Sequence, residues 1–388
     1  MRIAIVHGFY RSDVPSGENV AVTAQVAALR ADGHDVTVVA QHSDDRMARS
    51  TWPVEAAVTT ITGHGPDPTA ELAGAAPDVV HVHNLYPHFG TRWLDRWEGP
   101  LVATLHNFRP LCAAGTLTRE GRRCTDCVVG SPWSGVRHGC YHGSRLATLP
   151  LAVAHRGGAP VHPVVRRADR LVAISERTID EYAGAGVGRE RFAVVPNFVP
   201  DPPAPAARDG QERWLFAGRL SGEKGLAELL AAWPAGRGLD VVGDGEQAAE
   251  LKAAAGPDVA FLGALPHDVV RALPGHYRGV LVPSQWPEAG PPLTYLEAIA
   301  AGTPVVACAG NGAADDIARY GTGVVVGRTP TTTEVAAALD TVLARHDVLA
   351  HRCRVVAAEM YSAASWVGAI TEVYRDAIDL RALAVTGG

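Results

Sequence analysis

The chain has 388 residues, 47% hydrophobic and 20% charged, with a formal net charge of −6. That length exceeds one ordinary core and suits two domains, and the composition is that of a folded globular protein rather than a disordered one. The acidic balance argues against nucleic acid as a main partner, because phosphate backbones are held by a positive field.

The opening run Ile3–His7 is too short for a signal peptide and reads as a buried strand. No stretch approaches the roughly 18 apolar residues of a membrane span. A cytoplasmic protein is therefore expected, with peripheral contact at the inner membrane face left open. A helical pattern follows at Val20–Ala31, then strands at Asp35–Ala40, Val79–Val82, Leu101–Leu105 and Leu171–Ile174. Basic clusters at Arg122, Arg123, Arg137 and Arg145, and at Arg166, Arg167 and Arg170, read as solvated faces.

From Val194 to Pro205 the text becomes proline-rich, extended and semi-rigid, and reads as a linker. A second strand series follows at Trp214–Ala217, Leu239–Val242, Val259–Leu262, Gly279–Val282, Val305–Ala307 and Gly323–Val326. Strands alternating with helices make parallel sheets covered on both faces. The expected fold is α/β, with two Rossmann-like doubly wound domains at 1–193 and 194–362. The final helix, 363–388, carries Trp366, Ile370, Val373 and Tyr374 at helical spacing and is expected to pack back on the first domain. Ligands of such sheets sit beyond the carboxyl ends of the strands, so a substrate is expected in the cleft between domains.

Four segments of the second half carry the candidate chemistry. Phe216–Gly225, with Gly218, Arg219 and Lys224, leaves a strand and opens a helix, where amide N–H groups favour an anion. Lysine is scarce, only Lys224 and Lys252, so one in this loop is more than surface charge. Val242–Gly245 puts Gly243 and Asp244 after another strand, a turn that is weak alone. Trp286–Ala298 offers Glu288 and Glu297, and Glu297 in an apolar helical stretch is costly to bury without partners such as ribose hydroxyls. Gly310–Ala313 is a small-residue turn of little weight.

Four of the six cysteines, Cys112, Cys124, Cys127 and Cys140, fall within thirty residues, with His138 and His142 nearby. Two of them form a CxxC pair. Four soft ligands at such spacing suit tetrahedral zinc, and a cytosolic setting disfavours disulfides. Structural zinc is the preferred reading; reduced buried thiols and disulfides are the alternatives. The loop 109–145 would then be braced where it could shape acceptor binding. Cys308 and Cys353 read as ordinary buried residues.

Taken together, the Ser16-Gly17 loop, "GHDVTVVA", "PDVVHVHN", "VPNFV", "GRLSGEKG", "VGDG" and the Glu288/Glu297 helix resemble glycosyltransferase family 4, retaining enzymes of GT-B architecture. The resemblance spans nearly the whole chain. It implies a donor that is a UDP- or GDP-sugar, a hydroxyl acceptor, and no catalytic metal, since Arg219 and Lys224 would neutralise the diphosphate. It also implies that Glu297 holds the ribose and Glu288 the donor sugar. Amides of Ser16 and Gly17 would approach the distal phosphate, and those of Gly290, Leu293 and Thr294 the donor. His83 would line the cleft, with His106, Asn107 and Arg109 on the acceptor side. One departure stands out: eight residues separate Glu288 from Glu297 where the family has seven, so Ala289 competes with Glu288 for the family position. Pro291 and Pro292 lack N–H groups and cannot contribute amides there. Front-face substitution, with the leaving phosphate taking the acceptor proton, is the implied route to retention. A nucleotide-sugar epimerase of the same architecture and a non-catalytic nucleotide-sugar binder are the competing readings. An NAD-dependent enzyme ranks last, because the loop after Ile3–His7 lacks the GxGxxG spacing.

Overall fold

The computed structural model describes residues 1–13, 16–200, 212–284, 286 and 288–386. Residues 201–205 of the proline-rich stretch, Pro287 and the last two residues of the expected final helix lie outside that set.

The chain divides into two compact units, one of 1–119, 124–196 and 366–388, the other of 120–123 and 197–365. The divisions fall three residues later than the sequence-based boundaries, for local reasons. In the first unit six parallel strands run in the order β2 (Asp35–His42), β1 (Arg2–Phe9), β3 (Val79–Val82), β4 (Leu101–Leu105), β7 (Arg170–Ala173) and β8 (Phe192–Val194). A short hairpin, β5 (Thr118–Arg119) and β6 (Arg122–Arg123), intervenes in the chain. The edge strand β8 pairs with β7 through Ala173↔Val194, which carries the first unit past residue 193. At the other end, the buried stripe of the Ala363–Thr386 helix begins at Trp366 and continues through Val367, Ile370, Val373, Tyr374 and Ala377.

In the second unit the order is β11 (Val259–Gly263), β10 (Gly238–Val242), β9 (Arg213–Ala217), β12 (Gly279–Val282), β13 (Val305–Cys308) and β14 (Gly323–Val326), again all parallel. Central strands such as β3 and β4 are buried along their full length, which is why they read as unbroken apolar runs rather than alternations. Each order reverses once, between β1 and β3 and between β9 and β12. Loops leaving those strands diverge and open a crevice at the carboxyl ends.

The fully buried His81 is paired on both ring nitrogens. His81, in the middle of β3, bonds Tyr374 Oη at 2.8 Å through Nδ1 and Thr104 Oγ1 at 2.7 Å through Nε2. This bond and the Arg170–Asp376 ion pair fasten the last helix to the first unit's sheet. Among the described residues no helix is long and apolar enough to cross a membrane.

Candidate functional site

In the second unit the loops after β9 and β10 are locked together by backbone. Gly218 N–H donates to Val242 O (3.0 Å), Leu220 N–H to Asp244 O (2.9 Å) and Gln247 N–H to Leu220 O (3.0 Å). The contact is so close that a Cβ on Gly243 would stand 1.9 Å from Gly218 O, and one on Gly245 would stand 2.4 Å from Leu220 O. Gly243 also has φ +136°, a conformation costly to any residue with a Cβ. These glycines are thus required for packing the two loops, whatever else they do.

Lys224 ends a 3₁₀ turn, Gly222–Lys224. Its Nζ donates to Glu288 Oε1 at 2.9 Å and stands 5.4 Å from the centre of the Trp286 ring. Ser284 Oγ donates to the same Glu288 oxygen at 3.1 Å, while Glu288 Oε2 is buried without a partner among the described residues. The carboxylate beside Lys224 is therefore that of Glu288, and Ala289 is simply buried. Arg219 differs from Lys224: its side chain is 57% exposed and pairs with Glu223 at 2.8 Å. The helix that the loop opens, Leu226–Ala231, is six residues long.

Glu297 is buried in the Leu293–Ala300 helix. It is not partnerless: His267 Nε2 lies 3.4 Å from its Oε1. Thr294 Oγ1 donates to Ala217 O at 3.3 Å, tying the first turn of that helix to the end of β9. Gly290 and Gly312 meet so closely that a Cβ on Gly312 would lie 2.5 Å from Gly290 O. Asn311, which the sequence left as part of a weak turn, holds this region together. Fully buried, it caps the Gly312–Tyr320 helix and donates to Val282 O, Ser284 O and Cys308 O.

In the first unit, Ser16 caps helix α1 (Gly17–Ala31), its Oγ accepting from Asn19 N at 3.3 Å. Glu18, in the first turn, is buried. Its Oε2 accepts from Asn107 Nδ2 at 3.3 Å, and burial pushes its pKa up to about 7 against the opposing pull of Arg109, Asn107 and Tyr10. Asn107 in turn accepts from Arg109 N–H at 2.9 Å. The Arg109 guanidinium lies 4.6 Å from the centre of the Tyr86 ring and 5.6 Å from that of Tyr141, and donates to Ala113 O at 3.1 Å.

His83 follows β3 and His106 follows β4, and His83 Nδ1 and His106 Nε2 are 2.9 Å apart. Burial holds His83 well below the usual imidazole range, helped by His81, His106 and His7, and pushes His106 down to about 3. At neutral pH both rings are uncharged, so one donates and the other accepts. His83 Nε2 is buried without a partner among the described residues. His83, His106, Asn107 and Arg109 all line one cavity of about 660 Å³ inside the first unit, together with His155 and His162. Three of its liners carry buried atoms unpaired among the described residues, His83 Nε2, Arg109 Nε and His162 Nδ1, and these remain to be satisfied there. His155 and His162 were missed from the sequence, which has no signal for them beyond the abundance of histidine.

All six cysteines are free, and Cys112, Cys124, Cys127 and Cys140 line a single small void. Among the described residues no group of three or more His, Cys, Asp or Glu side chains could hold a metal ion, so the expected zinc ligands Cys112, Cys124, Cys127 and Cys140 are not arranged as a metal site.

Residues 15–201 match the family described as Glycosyltransferase Family 4, and residues 211–345 the family described as Glycosyl transferases group 1. Among characterised proteins, the chain is 30% identical over 315 residues to a 2-deoxystreptamine N-acetyl-D-glucosaminyltransferase of Streptomyces fradiae, covering 73% of this chain and 66% of that protein. It is 27% identical over 328 residues to a glycogen synthase of Mycobacterium tuberculosis, covering 80% and 69%. The chain thus spans about two thirds of the length of these relatives. Among solved structures it resembles Anabaena HepE in complex with UDP and glucose, with a TM-score of 0.63, 18% identity, and 96% and 99% of the two chains covered. It also resembles sucrose-phosphate synthase of Thermosynechococcus elongatus, with a TM-score of 0.66, 18% identity, and 96% and 98% covered. These likenesses show the fold, two parallel-sheet α/β units of the GT-B kind. With both halves matched by glycosyltransferase families and both sheets built in that fold, the chain belongs to the glycosyltransferases of family 4.

Proposed function

We propose that this protein transfers a hexosyl group, with retention, from a UDP- or GDP-sugar to a hydroxyl of a polyhydroxylated acceptor. The observation that carries the donor half is the pairing of Lys224 with the buried Glu288 at the strand-order reversal, where doubly wound sheets bind nucleotides. Lys224 and Arg219 meet the diphosphate, and the negative charge that grows on it as the glycosidic bond breaks is what they stabilise. The Glu223 carboxylate that holds Arg219 in the free protein gives it up to phosphate. Glu297 takes ribose hydroxyls in place of His267, and the free Oε2 of Glu288 accepts from a sugar hydroxyl.

The polar, uncharged cavity of the first unit suits the acceptor. Its neutral histidines and the Arg109 guanidinium offer both donors and acceptors for a polyol, and Asn107 positions Arg109. Deoxystreptamine and a glucan, the acceptors suggested by the relatives' names, share that chemistry. No placed carboxylate is assigned as a nucleophile, so the reading is a front-face substitution in which the departing phosphate accepts the acceptor's proton. Nucleic acid is not a partner in this reading, and the protein acts in the cytoplasm or against the inner membrane face.

The test is a screen of UDP- and GDP-sugars for released nucleoside diphosphate, with and without polyol acceptors, followed by determination of the anomeric configuration. Acceptor-dependent release with a retained linkage is expected. An inverted linkage would sink the mechanism, and isomerised nucleotide sugar formed without acceptor would replace the function with that of an epimerase.

A further inference from the structure

The Trp52–Thr62 helix is made largely of residues that ordinarily seek a core, yet none of its eleven residues is buried. Its one carboxylate, Glu55, accepts from Thr51 Oγ1. Val54, Val58 and Ile61 recur at helical spacing and form a single stripe; Val54 is 67% exposed and Ile61 45%. The Arg145–Ala154 helix packs against this one and repeats the pattern. Its Thr148, Leu151 and Ala152 are buried, while Leu146 is 83% exposed and Leu149, three residues on, faces solvent as well. The short Trp133–His138 helix packs on the same partner and exposes Trp133. Apolar residues scattered singly over a surface are ordinary, but adjoining stripes on packed helices mark a surface that meets something.

Charge identifies the occupant. Between Asp126 and Asp169 the sequence carries Arg137, Arg145, Arg156, Arg166 and Arg167 and no carboxylate, in a chain of net charge −6. Arg166 and Arg167 are paired with Asp95 and Asp169. Arg137, Arg145 and Arg156 are exposed and have no ion pair among the described residues. Arg137 follows Trp133 by one helical turn, Arg145 adjoins Leu146, and Arg156 stands just past the end of its helix. Free cations thus fringe the apolar stripes, the pattern of helices that lie in a membrane interface. Both stripes run to the first unit's cavity, whose wall includes Ile61 from one helix, Val153 from the other, and Arg156. A second copy of the chain does not fit this face, because a two-fold contact would set the arginines against themselves. A bilayer with anionic headgroups answers both features, the phosphates meeting the arginines and the acyl boundary the apolar side chains.

We propose that the face formed by the Trp52–Thr62, Trp133–His138 and Arg145–Ala154 helices seats this protein on an anionic lipid bilayer. The helices lie in the headgroup region and do not cross it. Docked in this way, the cavity opens at the membrane surface, within reach of acceptors held in the bilayer. That consequence alone rests on the proposed function; the docking itself does not.

The full-length protein is sedimented with vesicles of phosphatidylcholine alone and of phosphatidylcholine mixed with phosphatidylglycerol, at low and high salt. Binding is expected to the mixed vesicles and is weakened by salt. Each arginine at an anionic leaflet strengthens binding about five-fold, so R137Q with R145Q is expected to lower affinity about 20-fold. Val58→Asn with Leu146→Asn is expected to lower it at least about tenfold at either salt. All four sites are exposed, so the urea midpoints of both variants are expected to match the wild type; if either misfolds, the lipid and salt dependence of the wild type still decides. Hydrogen exchange on mixed vesicles is expected to slow in the Trp52–Thr62 and Arg145–Ala154 helices and to stay unchanged in β9, β12 and β13. Equal binding to both kinds of vesicle, no binding to the mixed ones at low salt, or protection confined to the second unit overturns the proposal. A dimer that the apolar substitutions dissociate overturns it as well, since the face then belongs to a second copy. No donor or acceptor enters these measurements. A protein that glycosylates soluble polyols yet does not sediment loses the membrane face alone, and one that sediments but transfers nothing loses the proposed function alone.

Discussion

Lys224 and Arg219 are both cations of one loop, yet the structure gives them different surroundings, and these separate binding from folding. Lys224 is mostly buried against Glu288, so Lys224→Ala leaves a buried carboxylate whose one remaining donor among the described residues is Ser284. Removing one partner of such a pair costs about 1–3 kcal/mol after allowance for partial exposure. Arg219 pairs with Glu223 at the surface, and Arg219→Ala is expected to change stability by less than about 0.5 kcal/mol. On donor turnover both are expected to cost about 100-fold or more. Urea titration beside a nucleotide-release assay checks this; an Arg219→Ala enzyme of near-normal activity would remove it from the diphosphate site. Glu288→Gln in the Lys224→Ala background is expected to recover part of the lost stability, since the buried charge is then gone. The cations themselves were legible, because a rare residue type in a glycine-flanked loop stands out. Their partners were not: Lys224 and Glu288 are 64 positions apart, and nothing local says which carboxylate reaches back. The same holds for His267 beside Glu297 and for Glu18 beside Asn107, contacts made only when loops from different strands meet.

At the scale of elements, the paired loops after β9 and β10 matter more than either alone. "VGDG" was weak as a motif and reads as a plain turn, yet its glycines are what allow the β10 loop to press on the backbone of Gly218–Leu220. Gly243→Ala puts a methyl group 1.9 Å from Gly218 O at a left-handed φ, so the loops must separate. A loss of about 2–4 kcal/mol in stability is expected from overpacking and strain together. Nucleotide affinity is expected to fall with it, as the Arg219 loop loses its support. Calorimetric titration of UDP and GDP against the variant, with chemical denaturation, checks both. A variant that keeps wild-type stability would mean that the backbone there relaxes freely and does not set the loop. The strand positions were legible because buried parallel strands are continuous apolar runs bounded by turns. Strand β8 was not, since Phe192–Val194 is a three-residue edge strand, and the His81–Tyr374 bond spans 293 positions.

For the molecule as a whole, the two units should respond to acid differently. Burial pushes His7 and His162 down to about 4, His81, His106 and His155 down to about 3, and His83 well below the ordinary value. All of these lie in the first unit. An unfolded histidine takes up a proton as pH falls through about 6.5, while these remain neutral when folded, so the unfolded chain binds more protons and stability falls. The stability is whole above pH 6.5 and is lost progressively toward pH 4, at up to about 1.4 kcal/mol per pH unit for each histidine. Glu18, raised by burial to about 7, works the other way: its folded form holds a proton the unfolded chain has released, so acidification relieves it. One such carboxyl offsets only one histidine. In the second unit the resolved shift of this kind is Asp316, raised by burial to about 6, which makes that unit firmer, not weaker, as pH falls from 7 to 5. Hydrogen exchange at pH 7.5 and 5.0, corrected for intrinsic rates, is therefore expected to show protection lost first in β1, β3 and β4. Protection in β9, β12 and β13 should hold. Equal loss in both sheets would mean that the histidine cluster is hydrated in the folded state and does not govern acid stability. The consequence reaches the chemistry, because four of these neutral rings, His83, His106, His155 and His162, line the cavity assigned to the acceptor. Acceptor binding is expected to weaken as the first unit loosens while nucleotide binding persists, and measuring the two affinities across that pH range links the folding of one sheet to one half of the reaction.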